Sequence, residues 1–181
     1  MYRKTWMQVN LDKIERNLIK LKDICQKKII AVLKADAYGC GDIHVARAVL
    51  EAGAEMIAVS SLDEALVLRN EGYEGKLLIL GATEASDIPV LIKQGISCTA
   101  YSNEWVDSAI QQNCEGLHIH LKMDTGMSRI GFRTIDELHL AFDKLQAARC
   151  NMEGIFTHFC CADSDLELTN LQFSKFKEAV E

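Results

Sequence analysis

The chain has 181 residues, 49% hydrophobic and 25% charged, the balance of an ordinary globular protein with room for one substantial core. A net charge of −6 argues against bulk electrostatic attraction to nucleic acid or an anionic membrane, though it leaves room for a small local anion site. No apolar run is long enough to span a bilayer, and residues 1–7 carry no apolar leader. The seven irregularly spaced cysteines, none in a Cys-x-x-Cys pair, read as reduced cytoplasmic thiols rather than a disulfide framework or a metal site.

Residues 6–9 are expected to form a first strand and residues 11–23 a helix. An apolar, β-branched run at 28–33 then ends on Lys34 and a glycine-punctuated turn, Ala35-Asp36-Ala37-Tyr38-Gly39-Cys40-Gly41. A lysine that closes a buried strand sits where burial lowers its pKa and frees its amine for Schiff-base chemistry. Further strands are predicted at 56–59, 77–80, 97–100, 117–121 and 152–156, with helices such as 43–52, 62–70 and 166–180 between and after them. Ser61-Leu62-Asp63-Glu64 fits a capping box, Asn103-Glu104 and Thr134 to Glu137 look like helix starts, and Gly72, Gly95 and Gly116 fall where helices should stop.

This alternation implies a parallel sheet covered by helices. Two architectures fit it: a six-strand open α/β domain, or most of a (β/α)8 barrel, which needs eight units and about 250 residues. A sheet cut after six units leaves open strand edges that invite aggregation, which favours the barrel portion. Against an open nucleotide-binding sheet, Gly39-Cys40-Gly41 is too short for a Gly-x-Gly-x-x-Gly loop.

Reactive residues of such barrels lie at the C-terminal ends of strands. Lys34 ends one strand, Lys122 and Asp124 follow another, and Thr157, His158 and Phe159 follow a third, so these ends are expected to meet on one rim. Taken singly, a strand-end lysine is most often salt-bridged or solvated, and a lone histidine structural. His118 and His120 alternate along a strand and share a face, without a catalytic role. The adjacent Cys160 and Cys161 are too strained for a routine mutual disulfide and read as small core or pocket-wall residues.

Three blocks in order carry a resemblance. Residues 30–41 resemble the alanine racemase signature Ala-Val-x-Lys-Ala-(Asn/Asp)-Ala-Tyr-Gly-His-Gly, with Cys40 in place of the histidine. The block His120-Leu121-Lys122-Met123-Asp124-Thr125-Gly126-Met127-Ser128-Arg129-Ile130-Gly131 resembles the family's substrate-arginine segment. Gly154-Ile155-Phe156-Thr157-His158-Phe159, followed by Ala162-Asp163, resembles its histidine loop, and Ala58 to Ala65 also fits.

The resemblance implies a pyridoxal phosphate (PLP)-binding TIM-type barrel, with residues 1–181 as its N-terminal part: about six of eight βα units, without barrel closure or the C-terminal β-domain. It implies a cytoplasmic, homodimeric isomerase that interconverts L- and D-alanine for bacterial peptidoglycan. Lys34 would be the Schiff-base lysine and one of two catalytic bases, Tyr38 would reach the cofactor phosphate, and His158 would lie beside the pyridine ring. Arg129 would contact substrate or the cofactor phenolate, oriented by a Lys122 that carbon dioxide can carbamylate. The opposite base would be a tyrosine of the C-terminal domain, reaching the partner subunit's site, so the 181-residue piece is expected to have little activity and poor PLP affinity. Serine or broad-specificity racemases of the same family share these blocks. A non-catalytic PLP-binding barrel protein is the non-enzymatic alternative, but it normally lacks the Ala-x-Ala-Tyr-Gly pattern.

Overall fold

The computed structural model describes residues 4–181; Met1 to Arg3, which open the stretch read for a leader, lie outside them. The chain divides into two compact units, the first ending at Leu78 and the second spanning Ile79–Glu181. Among the described residues no helix is long and apolar enough to cross a membrane.

In the first unit, α1 (Leu11–Cys25) starts at Asn10, whose side chain accepts the Lys13 N–H, and ends at Gln26 in a left-handed conformation. Strand β1 (Ile30–Val32) pairs in parallel with β2 (Met56–Val59), placing Ile30 opposite Met56 and Val32 opposite Ala58. The sheet order is β1-β2-β3, with β3 at Leu77–Ile79. A helical turn, α2 (Lys34–Gly39), and helix α3 (Asp42–Glu51) connect β1 to β2. Helix α4 (Leu62–Asn70) follows β2, capped by the Ser61 hydroxyl. The β2 residues are buried on both faces, as a central parallel strand requires, whereas Ile30 and Val32 of β1 are partly exposed.

The expected strand at residues 6–9 does not form. This stretch has no regular structure, and Trp6 is 78% exposed. A short apolar stretch makes a strand only when a neighbouring strand pairs with its backbone, and none does so among the described residues.

The second unit begins with a 3-10 turn, Ala85–Asp87, and α5 (Ile88–Gln94), which ends at Gly95 with φ 58. Its sheet order is β4-β5-β6: Cys98–Ala100, His118–Lys122 and Asn151–Phe156, all parallel. Helix α6 (Asn103–Gln111) starts on Ser102. Helix α7 (Ile135–Ala147) has a complete capping box between Thr134 and Glu137, and α8 (Leu166–Val180) is capped by Asp165. Ile79, Ile88, Leu91, Ile96, Leu117, Ile119 and Leu145 form a core from which water is excluded.

The ladder between β5 and β6 slips by one residue: Met152 faces Ile119, but Gly154 faces His120. The extra residue, Glu153, is a bulge, a device that re-aims a side chain. Its carboxylate accepts from the Ser97 hydroxyl at 2.6 Å and lies 3.0 Å from His118 Nδ1 and 3.4 Å from His120 Nε2. The two histidines therefore do share a face. Gly154 lies opposite His120, and a Cβ there would approach His120 Nδ1 to 3.1 Å, a tight contact.

Candidate functional site

In the first unit, Leu33 donates to the Ala58 carbonyl at 2.8 Å, and the chain then leaves the sheet. Ala35, Asp36, Ala37 and Tyr38 follow with φ of 52, 54, 51 and 57, a left-handed helical turn built of L-residues. Each such residue costs roughly 1–2 kcal/mol against its right-handed conformation, so the segment is strained. Within the turn, Ala37 N–H returns to the Leu33 carbonyl at 2.9 Å and Gly41 N–H to the Asp36 carbonyl at 3.0 Å. Gly39 and Gly41 take φ of 83 and 89, the left-handed role expected of them.

A single carboxylate clamps this strained turn. Glu64 Oε1 accepts the Ala35 N–H at 2.7 Å, while Oε2 accepts the Ser60 N–H at 2.7 Å and the Ser60 hydroxyl at 2.8 Å. Burial pushes the Glu64 carboxyl up, but hydrogen bonds from Ala35, Ser60 and Ser61 outweigh it and hold the group below the usual carboxylate range. On the other side, Asp36 Oδ1 accepts the Asp42 N–H at 2.8 Å. Glu64 was visible in the sequence only as a capping residue; its reach to Ala35 was not.

The turn brings Lys34 and Tyr38 together, with Lys34 Nζ 5.8 Å from the Tyr38 ring centre. Lys34 is half-buried rather than enclosed, because the strand it closes has one partly exposed face. No ion pair forms at its amine among the described residues. Tyr38 is 64% exposed.

In the second unit, Lys122 closes β5 at 3% exposure. Its Nζ lies 4.6 Å from the centre of the Phe156 ring at the end of β6. The chain then folds back: Phe132 N–H donates to the Lys122 carbonyl at 2.9 Å, and Asp124 N–H to the Phe132 carbonyl at 2.8 Å. Asp124 Oδ1 accepts from the Gly126 and Ser128 N–H groups at 3.0 and 2.9 Å, so its part is to shape the turn. Arg129 sits exposed in this loop. Burial lowers the Lys122 pKa, repulsion from Arg129 lowers it further, and Asp124 opposes both.

A buried glutamine joins the two strand-end loops of this unit. Thr125 and Thr157 share a hydroxyl hydrogen bond of 2.9 Å. Gln172 of α8, at 0% exposure, donates from Nε2 to Thr125 Oγ1 at 3.4 Å and accepts the Cys160 N–H at 3.1 Å. His158 lies exposed between Thr157 and Cys160. A lone glutamine in an amphipathic helix offers no sequence signal, so this bracket was not foreseen. Cys160 is exposed and Cys161 half-buried, which places them on a surface loop and corrects the core half of the expectation, that they are core or pocket-wall residues.

The chain matches the family described as alanine racemase, N-terminal domain, over residues 9–181. It is 38% identical to the alanine racemase of Halalkalibacterium halodurans and to alanine racemase 1 of Bacillus subtilis, covering 99% of this chain and 48% and 47% of theirs. A solved alanine racemase from Bacillus anthracis aligns with a TM-score of 0.91 at 37% identity, over 99% of this chain and 48% of that one. A histidine racemase from Leuconostoc mesenteroides aligns at 0.86 with 29% identity, over 92% and 46%. The chain thus spans about half the length of the curated relatives it matches, and its α/β class is that of the N-terminal barrel portion of the solved ones.

Proposed function

The chain belongs to the alanine racemase N-terminal domain family, and from that membership we propose that the protein carrying it is a PLP-dependent alanine racemase supplying D-alanine to the bacterial cell wall. The observation that carries this reading is the presentation of Lys34: a lysine at a strand end, on a strained turn, with no ion pair among the described residues. An amine free of a carboxylate suits condensation with a carbonyl, and the exposed Tyr38 phenol beside it suits a phosphate oxygen, so the residues fit the cofactor.

When bound, PLP supplies the electron sink that stabilises a carbanion at the amino acid's α-carbon. Lys34 would hold the cofactor through its amine, and the same amine, when free, would take or return the α-proton on one face. Tyr38 would hold the phosphate end, and His158 would contribute to the cofactor's surroundings. Arg129 orients the substrate carboxylate or the cofactor phenolate through its planar fork of donors. The lowered pKa of Lys122 favours its neutral amine, the form that reacts with carbon dioxide. Carbamylation replaces a cation that repels Arg129 with an anion that attracts it. Protonation on the opposite face requires a second base, which the family resemblance assigns to a tyrosine of a following domain and a partner subunit. Residues 1–181 are then the N-terminal part of the barrel of a cytoplasmic homodimer.

The test is alanine racemisation by the complete gene product. The expected result is interconversion of L- and D-alanine that is abolished in Lys34→Ala; full turnover in that variant would end the reading. A second reading, a racemase for another amino acid, is favoured by the likeness to a histidine racemase. A panel of alanine, serine and histidine separates the two, with alanine turned over fastest on the first reading.

A further inference from the structure

The loop after β6 carries two adjacent thiols that the proposed reaction does not use. The Sγ atoms of Cys160 and Cys161 lie 3.4 Å apart, well beyond a disulfide bond of about 2.05 Å, and the loop leaves Cys160 exposed. The pair is held rather than loose: Gln172 Oε1, fully buried, accepts both the Cys160 N–H at 3.1 Å and the Cys160 S–H at 3.3 Å. A direct bond between neighbouring residues would close a tight ring through their shared peptide, whereas one bridging atom relaxes it. Soft sulfur ligands select soft acceptors. Among the described residues no third histidine, cysteine or carboxylate joins the pair into a metal cluster, which disfavours four-coordinate zinc.

We propose that Cys160 and Cys161 form a dithiol site for a soft electrophile that takes two sulfur ligands, with trivalent organoarsenicals as the ligand class. The condensation involves no electron transfer. An arsenic bearing two hydroxyls gives up both, each leaving with one S–H proton as water, and two As–S bonds replace the two As–O bonds while arsenic stays trivalent. The Cys161 thiol is pushed up to about 11, chiefly by its contact with Cys160, so it is protonated at neutral pH and slow towards alkylating agents that require a thiolate. Ring closure across two thiols favours the arsenical over such reagents. The second close pair, Cys114 and Cys150 at 3.3 Å, serves as an internal control because Cys114 is only 1% exposed.

The site stands on the geometry of this loop alone and does not depend on the role of Lys34. The experiment treats the 181-residue chain with phenylarsonous acid at neutral pH and reads the intact mass, then maps the adduct by peptide mass spectrometry. One arsenical per chain is expected, on the segment holding Cys160 and Cys161, removed by 2,3-dimercaptopropanol but not by a monothiol. The adduct should be lost in Cys160→Ser and in Cys161→Ser and kept in Cys150→Ser. No adduct on the native chain, an adduct mapped to another segment, or one surviving in the Cys160→Ser/Cys161→Ser double variant overturns the proposal. Mapping on the native chain keeps the test decisive even where a variant folds poorly.

Discussion

Lys34 and Lys122 both stand at the C-terminal ends of parallel strands, one in each unit, yet their surroundings are prepared by opposite means. Lys34 stays half-exposed on a left-handed turn, and the strain there lies in the backbone. Lys122 has ordinary strand geometry, but it is enclosed against Phe156 and faces the positive charge of Arg129. The first arrangement presents an amine to a ligand. The second makes an amine uncomfortable as a cation and so ready for neutralisation. The supports differ in part: the start of the Lys34 turn is clamped by a distant carboxylate, Glu64, whereas the Lys122 loop is closed by backbone hydrogen bonds to Phe132.

The sharpest way to break the second arrangement is at Gly131. Its φ is 126, and a Cβ there would lie 2.8 Å from both the Asp124 nitrogen and the Lys122 oxygen, neither of which can swing aside. Gly131→Ala should therefore destabilise the chain by about 3 kcal/mol, read by chemical denaturation. A loss below about 1 kcal/mol would mean that the loop closes by other contacts.

The corresponding break in the first arrangement is Glu64→Gln. The amide keeps the volume but loses the charge that accepts from Ala35 and Ser60, and the expected cost is about 2 kcal/mol at pH 7. Because the Glu64 pKa is lowered on folding, its contribution is present above the unfolded value of about 4.3 and fades as the pH falls through the lower folded value. The gap between variant and native chain should narrow in acid. A gap that widens there would contradict the clamp.

The smallest effect is expected at Lys122 and has the opposite sign. Lys122→Met removes a disfavoured buried cation and should stabilise the chain by about 1 kcal/mol at pH 7 in carbonate-free buffer. With the folded pKa lowered, the unfolded chain binds more protons between that value and about 10.4. Native stability rises with pH through this window, and the advantage of methionine should vanish above it. Thermal denaturation at pH 7 and in strong alkali measures the difference; an advantage independent of pH would show that packing, not charge, is responsible.

Much of the fold was legible because its elements are strongly patterned. The apolar run at 56–59 became β2 and the amphipathic stretches at 62–70 and 166–180 became α4 and α8 with the predicted bounds, since burial and capping act locally there. Residues 6–9 were misread because a short apolar stretch says nothing about whether a partner strand is available. The turn after Lys34 was recognised by its glycines, but the left-handed conformation of two alanines, an aspartate and a tyrosine runs against their intrinsic preference. Its first residue, Ala35, is held by Glu64, which lies 29 positions further along the chain. Glu153 and Gln172 escaped notice for a related reason, since a bulge and a buried amide owe their roles to neighbours distant in sequence.

The central claim is that the turn after β1 presents Lys34 as the cofactor lysine. Incubating the complete gene product with limiting PLP, reducing with borohydride and mapping the label by peptide mass spectrometry tests it most directly. The label should accumulate first and most strongly on Lys34, and Glu64→Gln should weaken it by loosening the turn. A folded chain that takes up label on Lys122 or on surface lysines while Lys34 stays unmodified would contradict the account.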